Sequence, residues 1–346
     1  MISLGAIVGF VMLMSLTLYA VGGGADFGGG VWDLFSSGPR AKQQRDLVAH
    51  AIGPIWEANH VWLILVVVLL FVAFPPAFAA ICIALHIPLT VMLVGIVLRG
   101  SSFVFRSYDA QTDDVQQRWS RVFAVASIIT PIMLGVTVGA VASGTVRVDL
   151  ETGHVQTNFI SSWLAPFPFA IGFWTLALFA YLAAVYLTLE AQDEGLREDF
   201  RRRALAAGFV VGALALVSFL LSGKGAPLIR LGLAREWWSI PFQVLTGITS
   251  VCAMVAMWRR CFRLARAFAA AQVVLILWGW GLAQFPFLVE PDLTFDNAAA
   301  ESHVLRLLLG ALAAGTLLLF PSLGYLYRVF KREDATPGGS TFSRDS

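Results

Sequence analysis

The chain has 346 residues, of which 58% are apolar and only 13% charged, and its mean hydropathy is +0.76. A water-soluble domain keeps about a quarter of its residues charged, so these values exclude a soluble fold and put the chain in the membrane class. The formal net charge of +2 is too small to point to a nucleic-acid partner, and Cys82, Cys252 and Cys261 lack the CxxC or CxxCH spacing of a disulfide scaffold, a zinc cluster or covalently attached haem.

A bilayer core about 30 Å thick needs about 20 helical residues to cross it. Nine stretches meet that need, near 2–21, 55–74, 77–98, 122–143, 167–189, 204–222, 237–258, 264–283 and 303–327. They lack the two-residue alternation of barrel strands and are read as helices, which satisfy their own backbone in lipid. The fold class expected is therefore an all-α polytopic membrane protein with nine transmembrane helices, arranged as two four-helix bundles plus one peripheral helix. A single transmembrane domain would span 1–332, and 333–346, with Pro337, Gly338 and Gly339, would be a disordered cytoplasmic tail.

The first stretch carries no Lys or Arg between Met1 and Phe10 and is read as a retained helix rather than a signal peptide. Directly after it comes Gly22-Gly-Gly-Ala-Asp-Phe-Gly-Gly-Gly30, read as a loop that leaves Asp26 at cytoplasmic depth. It lacks the Lys-Ser/Thr of a phosphate loop and follows no strand, which argues against nucleotide binding. The alternative is that its glycines only let the chain turn tightly between packed helices. Residues 43–52 place Leu47, Val48 and Ala51 at helical spacing, the pattern of a short interfacial helix.

The second span opens with Ile52-Gly-Pro-Ile-Trp-Glu-Ala-Asn-His-Val-Trp62. Pro54 suits a first helical turn, and Glu57 suits the positive end of the helix dipole. Three residues on from Glu57, and four from Trp56, stands His60, so these groups share one side of the helix. The same residues also read as a helix start anchored at the interface by tryptophans. Arg99 is expected to close the third helix, with Arg106 following. Gathered at one depth, Asp26, Glu57, His60, Arg99 and Arg106 would relay protons or hold one another in ion pairs. A haem shared by His60 and His86 is excluded by depth: at about 1.5 Å per residue, His86 lies about 20 Å from the cytoplasmic end of helix three and His60 only about 9 Å inside helix two.

Orientation follows the basic residues, which collect on cytoplasmic loops. With the N-terminus outside, every Lys and Arg falls inside except Arg147, Lys224, Arg230 and Arg235, and except Arg306 within the last span. That asymmetry supports an odd number of spans and a C-terminus inside. Pro131, Pro168 and Pro241 lend something to a secondary-transporter reading, in which broken helices bind substrate at the midplane. The charges, however, gather at one face.

The pattern resembles subunit II of the cytochrome bd-type quinol oxidases. The resemblance rests on Gly24-Ala-Asp-Phe-Gly-Gly-Gly30, on Ile52-Gly-Pro-Ile-Trp-Glu-Ala-Asn-His-Val-Trp-Leu63, on Phe71-Val-Ala-Phe-Pro75 and on Arg99-Gly-Ser-Ser-Phe-Val-Phe-Arg106, in that order over residues 1–110. It implies a non-haem chain of a bacterial cytoplasmic (inner) membrane, paired in a heterodimer with a subunit I that carries haem b and haem d, oxidises quinol and reduces oxygen to water. It leaves room for a structural quinone and a small accessory subunit beside the membrane lipids. By resemblance no catalytic or metal-binding residue is expected here. Glu57, Asp26, His60, Trp56, Asn59 and Arg99 would instead belong to a hydrophilic proton pathway from the cytoplasm. Gly23 and Val104 stand where the family commonly has acids, Glu57 replaces an aspartate, and His60 replaces a Glu or Gln, so the route is thinner here. A purely structural scaffold without a relay is the rival reading.

Overall fold

The computed structural model describes residues 3–52, 56–108 and 113–333. Helix α1 (Leu4–Leu34) opens on Ser3, whose hydroxyl accepts the Ala6 amide at 3.1 Å, and continues for 31 residues. This corrects the expected end at 21 and the expected loop: residues 22–30 are helical, and Asp26 is carried on α1. Glycine costs about 1 kcal/mol in a helix interior, but opening the helix inside a bilayer strands amides and carbonyls at several kcal/mol each. The glycines serve close approach instead. A Cβ at Gly28 would overlap the Phe179 carbonyl, and one at Gly30 would overlap the Ser127 hydroxyl.

Helix α2 (Ala41–Ile52) covers the short helix expected over 43–52 and buries Val48 against Phe123, Leu187 and Phe200. Helices α3 (Trp56–Ala73) and α4 (Pro75–Ala84) meet at a bend of 116°. Pro75 has no amide to continue the ladder, and its ring pushes Phe74 out of the helical region, to φ −137 and ψ 59. The third crossing is consequently α5 (His86–Tyr108) rather than 77–98, and Arg99 sits within it rather than at its end.

The remaining helices of this part are α6 (Asp113–Val141), α7 (Pro166–Glu190), α8 (Glu194–Gly225), α9 (Pro227–Arg235), α10 (Ser239–Trp258) and α11 (Phe262–Gln284). Helix α8 begins at Glu194, not 204, because Asp193 caps it by accepting the Leu196 amide at 2.8 Å. Pro168 and Pro241 occupy first turns, where a missing amide costs nothing, so neither breaks a helix; Pro131 alone of the three lies inside one. Among the described residues eight helices are long and apolar enough to cross a membrane, or nine when α3 and α4 count as one bent span. This is a multi-pass membrane protein.

Helices α1, α3, α5 and α6 pack as one group and α7, α8, α10 and α11 as another, with α7 also packed on α1 and α6. The core runs through that junction, with Tyr19, Phe27, Phe179, Leu182, Met257 and Val273 buried together. Two small hairpins, β1 (Arg147–Val148) with β2 (Val155–Gln156) and β3 (Phe287–Val289) with β4 (Leu293–Thr294), close the ends of α6 and α11. Asp292 joins the hairpins by accepting Arg147 Nε at 2.8 Å and the Val148 amide at 2.9 Å.

The chain divides into two compact units, residues 1–299 and 300–346. The second holds α12 (Ser302–Glu333), which contains Pro321 and exposes Leu307, Leu317 and Leu318. Residues 334–346 of the expected tail lie outside the described residues.

Candidate functional site between α1, α3 and α5

Asp26 is 2% exposed, and its Oδ2 accepts a hydrogen bond from Asn59 Nδ2 at 2.8 Å. That contact depends on the glycines opposite. A Cβ at Gly22 would stand 2.7 Å from Asn59 Oδ1, so a side chain there would push the amide off Asp26. Gly23 stands where the resemblance expects one of the acids, and a Cβ there would come 3.0 Å from the Tyr19 ring.

Arg99 enters from α5 and is also 2% exposed. Its guanidinium lies over the Phe27 ring at 4.5 Å and the Phe123 ring at 5.3 Å. A desolvated cation over an aromatic face gains about 2 kcal/mol, and the charges of Asp26 and Arg99 also attract. Arg99 Nε and Nη2 nonetheless have no hydrogen-bond partner among the described residues. The site thus holds one carboxyl and one guanidinium together in low dielectric, with donor capacity to spare.

His60 borders this pair. Its ring stands edge-on to Tyr19 at 6.0 Å and 5.8 Å from Phe27. Glu57, one turn earlier on α3, is exposed on the outer surface of the chain. Trp56 is the first helical residue of α3; its side chain, like that of Arg106, lies outside the described residues. Val104 is exposed. The structure therefore brings Asp26, Asn59 and Arg99 together, sets His60 at their edge, and leaves Glu57 apart from them. His86, at the head of α5, pairs with the Ile83 carbonyl at 3.0 Å and stacks edge-on against Phe159.

Several groups of consequence were not singled out by sequence. Tyr19, Phe27 and Phe123 form the walls of the site. A helical reading of residues 22–30 would have placed Tyr19 and Asp26, seven apart, on one face of α1. A cavity of about 520 Å³ lies among α1, α6, α7, α8, α10 and α11, walled by Leu134, Phe179, Trp174, Trp238 and Trp280, with Gln243 and Gln272 at its lining. Such a cavity draws residues from helices far apart in the chain, and no local pattern reports it. Glu290, on the turn after β3, is 1% exposed with neither carboxyl oxygen bonded, and burial pushes its pKa up to about 8. Among the described residues no three of His, Cys, Asp and Glu gather as a metal site.

Residues 4–330 match the family model described as cytochrome bd terminal oxidase subunit II. Among individual proteins, the chain is 24% identical over 346 residues to the "Putative cytochrome bd menaquinol oxidase subunit II" of Bacillus subtilis (strain 168), covering 96% of each chain. It is 25% identical over 318 residues to the "Cytochrome bd-I ubiquinol oxidase subunit 2" of Escherichia coli (strain K12), covering 81% of this chain and 80% of that one. In three dimensions it is similar to a chain of the bd oxidase from Geobacillus thermodenitrificans, with a TM-score of 0.80, 21% identity, and coverage of 94% of this chain and 98% of that one.

Proposed function

Because the chain belongs to the cytochrome bd terminal oxidase subunit II family, we propose that it is the non-haem partner of a haem-bearing subunit I in a quinol-oxidising, oxygen-reducing complex of a bacterial cytoplasmic membrane. When bound in subunit I, haem b and haem d supply the oxygen chemistry. This chain contributes assembly and cytoplasmic proton delivery. The observation that carries the second role is the buried contact of Asp26 with Asn59 beside Arg99, since ionisable groups held inside a membrane protein at a desolvation cost are retained for function.

In this reading Glu57, on the surface at the basic end, takes protons from water. His60, one turn further in on the same side of α3, passes them towards Asp26. Asn59 fixes the orientation of the Asp26 carboxyl, and Arg99 holds negative charge there when the proton leaves. Trp56 is assigned to the mouth of the route. The N-terminus lies outside, so that the arginine-rich ends of α8 and α11 face the cytoplasm. The cavity walled by Trp174, Trp238 and Trp280 is the place we assign to a structural quinone: it is mostly apolar, and the amides of Gln243 and Gln272, which give one N–H to the Leu233 carbonyl and the Ser250 hydroxyl respectively, each keep a second for a quinone carbonyl.

Glu57→Gln and Asp26→Asn in the assembled complex test the relay, with haem absorbance as the control for assembly. Both are expected to slow quinol-driven oxygen consumption and proton uptake together while the haem spectrum stays intact. Wild-type rates in both variants would leave a structural scaffold as the role of this chain.

A further inference from the structure

A second polar site lies at the arginine-rich end of the molecule, where the turn between α10 and α11 meets the start of α8. A cavity of about 460 Å³ opens there, lined by Arg197, Arg260 and Arg263 together with Cys261, Phe262 and Leu264. We propose that this cavity binds a phosphate-ester group.

Three features converge on that chemistry. The first is charge. Glu194 meets Arg197 at 3.1 Å and Arg260 at 3.6 Å; Glu198 meets Arg260 at 3.3 Å but is shared with Arg201 at 2.8 Å and Arg202 at 3.3 Å. Arg263 has no ion-pair partner among the described residues. Arg197 is committed to Glu194 and to the Thr188 and Ala191 carbonyls, so the groups the cavity offers an anion are Arg260, whose two carboxylates are shared with other arginines, and Arg263; guanidinium is the side chain whose geometry matches phosphate.

The second feature is the backbone. Helix α11 starts at Phe262 without a side-chain cap from Cys261, and its first intrahelical bond is given by Ala265 to the Cys261 carbonyl. The amides of Phe262, Arg263 and Leu264 are the groups an uncapped helix leaves open, and those three residues line the cavity. An anion placed here meets the positive end of a 23-residue helix as well as the arginines.

The third is the conformation of Arg260. It closes α10 with φ 61, and the Cys261 amide reaches back to the Ala256 carbonyl at 2.8 Å. Glycine usually fills this left-handed position, and a side chain here is strained. The chain accepts that strain and places a guanidinium at the cavity. Phe262, Leu264 and the exposed Trp258 add an apolar border of the kind found at membrane interfaces. The group is therefore either the headgroup phosphate of a membrane lipid or a free phosphate.

The test uses the purified whole complex and the variant R260G/R263Q. Glycine relieves the strain at 260, so loss of the fold is not expected, and haem absorbance with unchanged oxygen consumption controls for it. In nanodiscs of phosphatidylcholine containing tracer phosphatidylglycerol, the wild type should retain phosphatidylglycerol through detergent exchange about tenfold more tightly than the variant, a loss of about 1.4 kcal/mol. A second arm titrates inorganic phosphate into the delipidated complex. Saturable phosphate binding lost in the variant, without selective lipid retention, assigns the site to free phosphate. Equal behaviour of wild type and variant in both arms, or equal loss in the control R259Q, overturns the proposal.

Discussion

Asp26 and Glu290 are both buried acids, and their surroundings differ in a way that makes different predictions for each. Asp26 has an amide donor in Asn59 and a cation in Arg99. Glu290 has neither, and only its backbone amide is engaged, donating to the Val141 carbonyl at 3.3 Å. With its pKa raised from 4.5 to about 8 by burial, Glu290 is protonated in the folded chain at neutral pH and ionised in the unfolded one. Its stabilising contribution is complete below 4.5 and is lost as pH rises through about 8, at about 1.4 kcal/mol per pH unit within that window. Thermal melts of the complex across this range should fall with pH in the wild type and flatten in Glu290→Gln. Parallel slopes would mean that the acid does not report on unfolding.

At the scale of elements, the glycine-rich run of α1 gives the clearest mechanical contrast. Gly28 faces the backbone carbonyl of Phe179, which α7 holds rigidly, whereas Gly223 of α8 has open space where a Cβ would stand. Gly28→Ala should therefore destabilise by about 1–3 kcal/mol and Gly223→Ala not at all, as read from the melting temperatures of the two variant complexes. Equal losses would contradict the packing described. The same run marks the limit of what the sequence made legible. Long apolar segments in lipid have one solution, so the crossings followed from composition. Glycine, however, permits a turn and a tight helix contact alike, and the choice rests on what α7 presents to residues 24 and 28. Asp26, Asn59 and Arg99 were legible as chemistry from their residue types, whereas their aromatic walls and the exposure of Glu57 depend on which helix faces meet. The Pro75 bend was equally hidden, since an apolar run broken by one proline does not state its angle.

For the whole molecule, orientation can be read from a natural probe. Cys261 is exposed beside the arginines of the α10–α11 turn, whereas Cys82 and Cys252 are half-buried within helices. With the N-terminus outside, a membrane-impermeant maleimide should label Cys261 in inverted vesicles and leave intact cells unlabelled. The reverse pattern would invert the topology and put the Glu57 entrance on the wrong side for cytoplasmic protons.

The unbroken course of α1 also bears on how this polypeptide can vary. Were residues 22–30 a loop, an added or deleted amino acid would be absorbed locally. In a continuous helix each residue advances the azimuth by about 100°, so one insertion ahead of Asp26 would swing its carboxyl to another side of the rod and turn Gly28 and Gly30 out of phase with α7 and α6. Length there is constrained alongside residue identity: a substitution disturbs its own contact, whereas an indel displaces every contact beyond it at once.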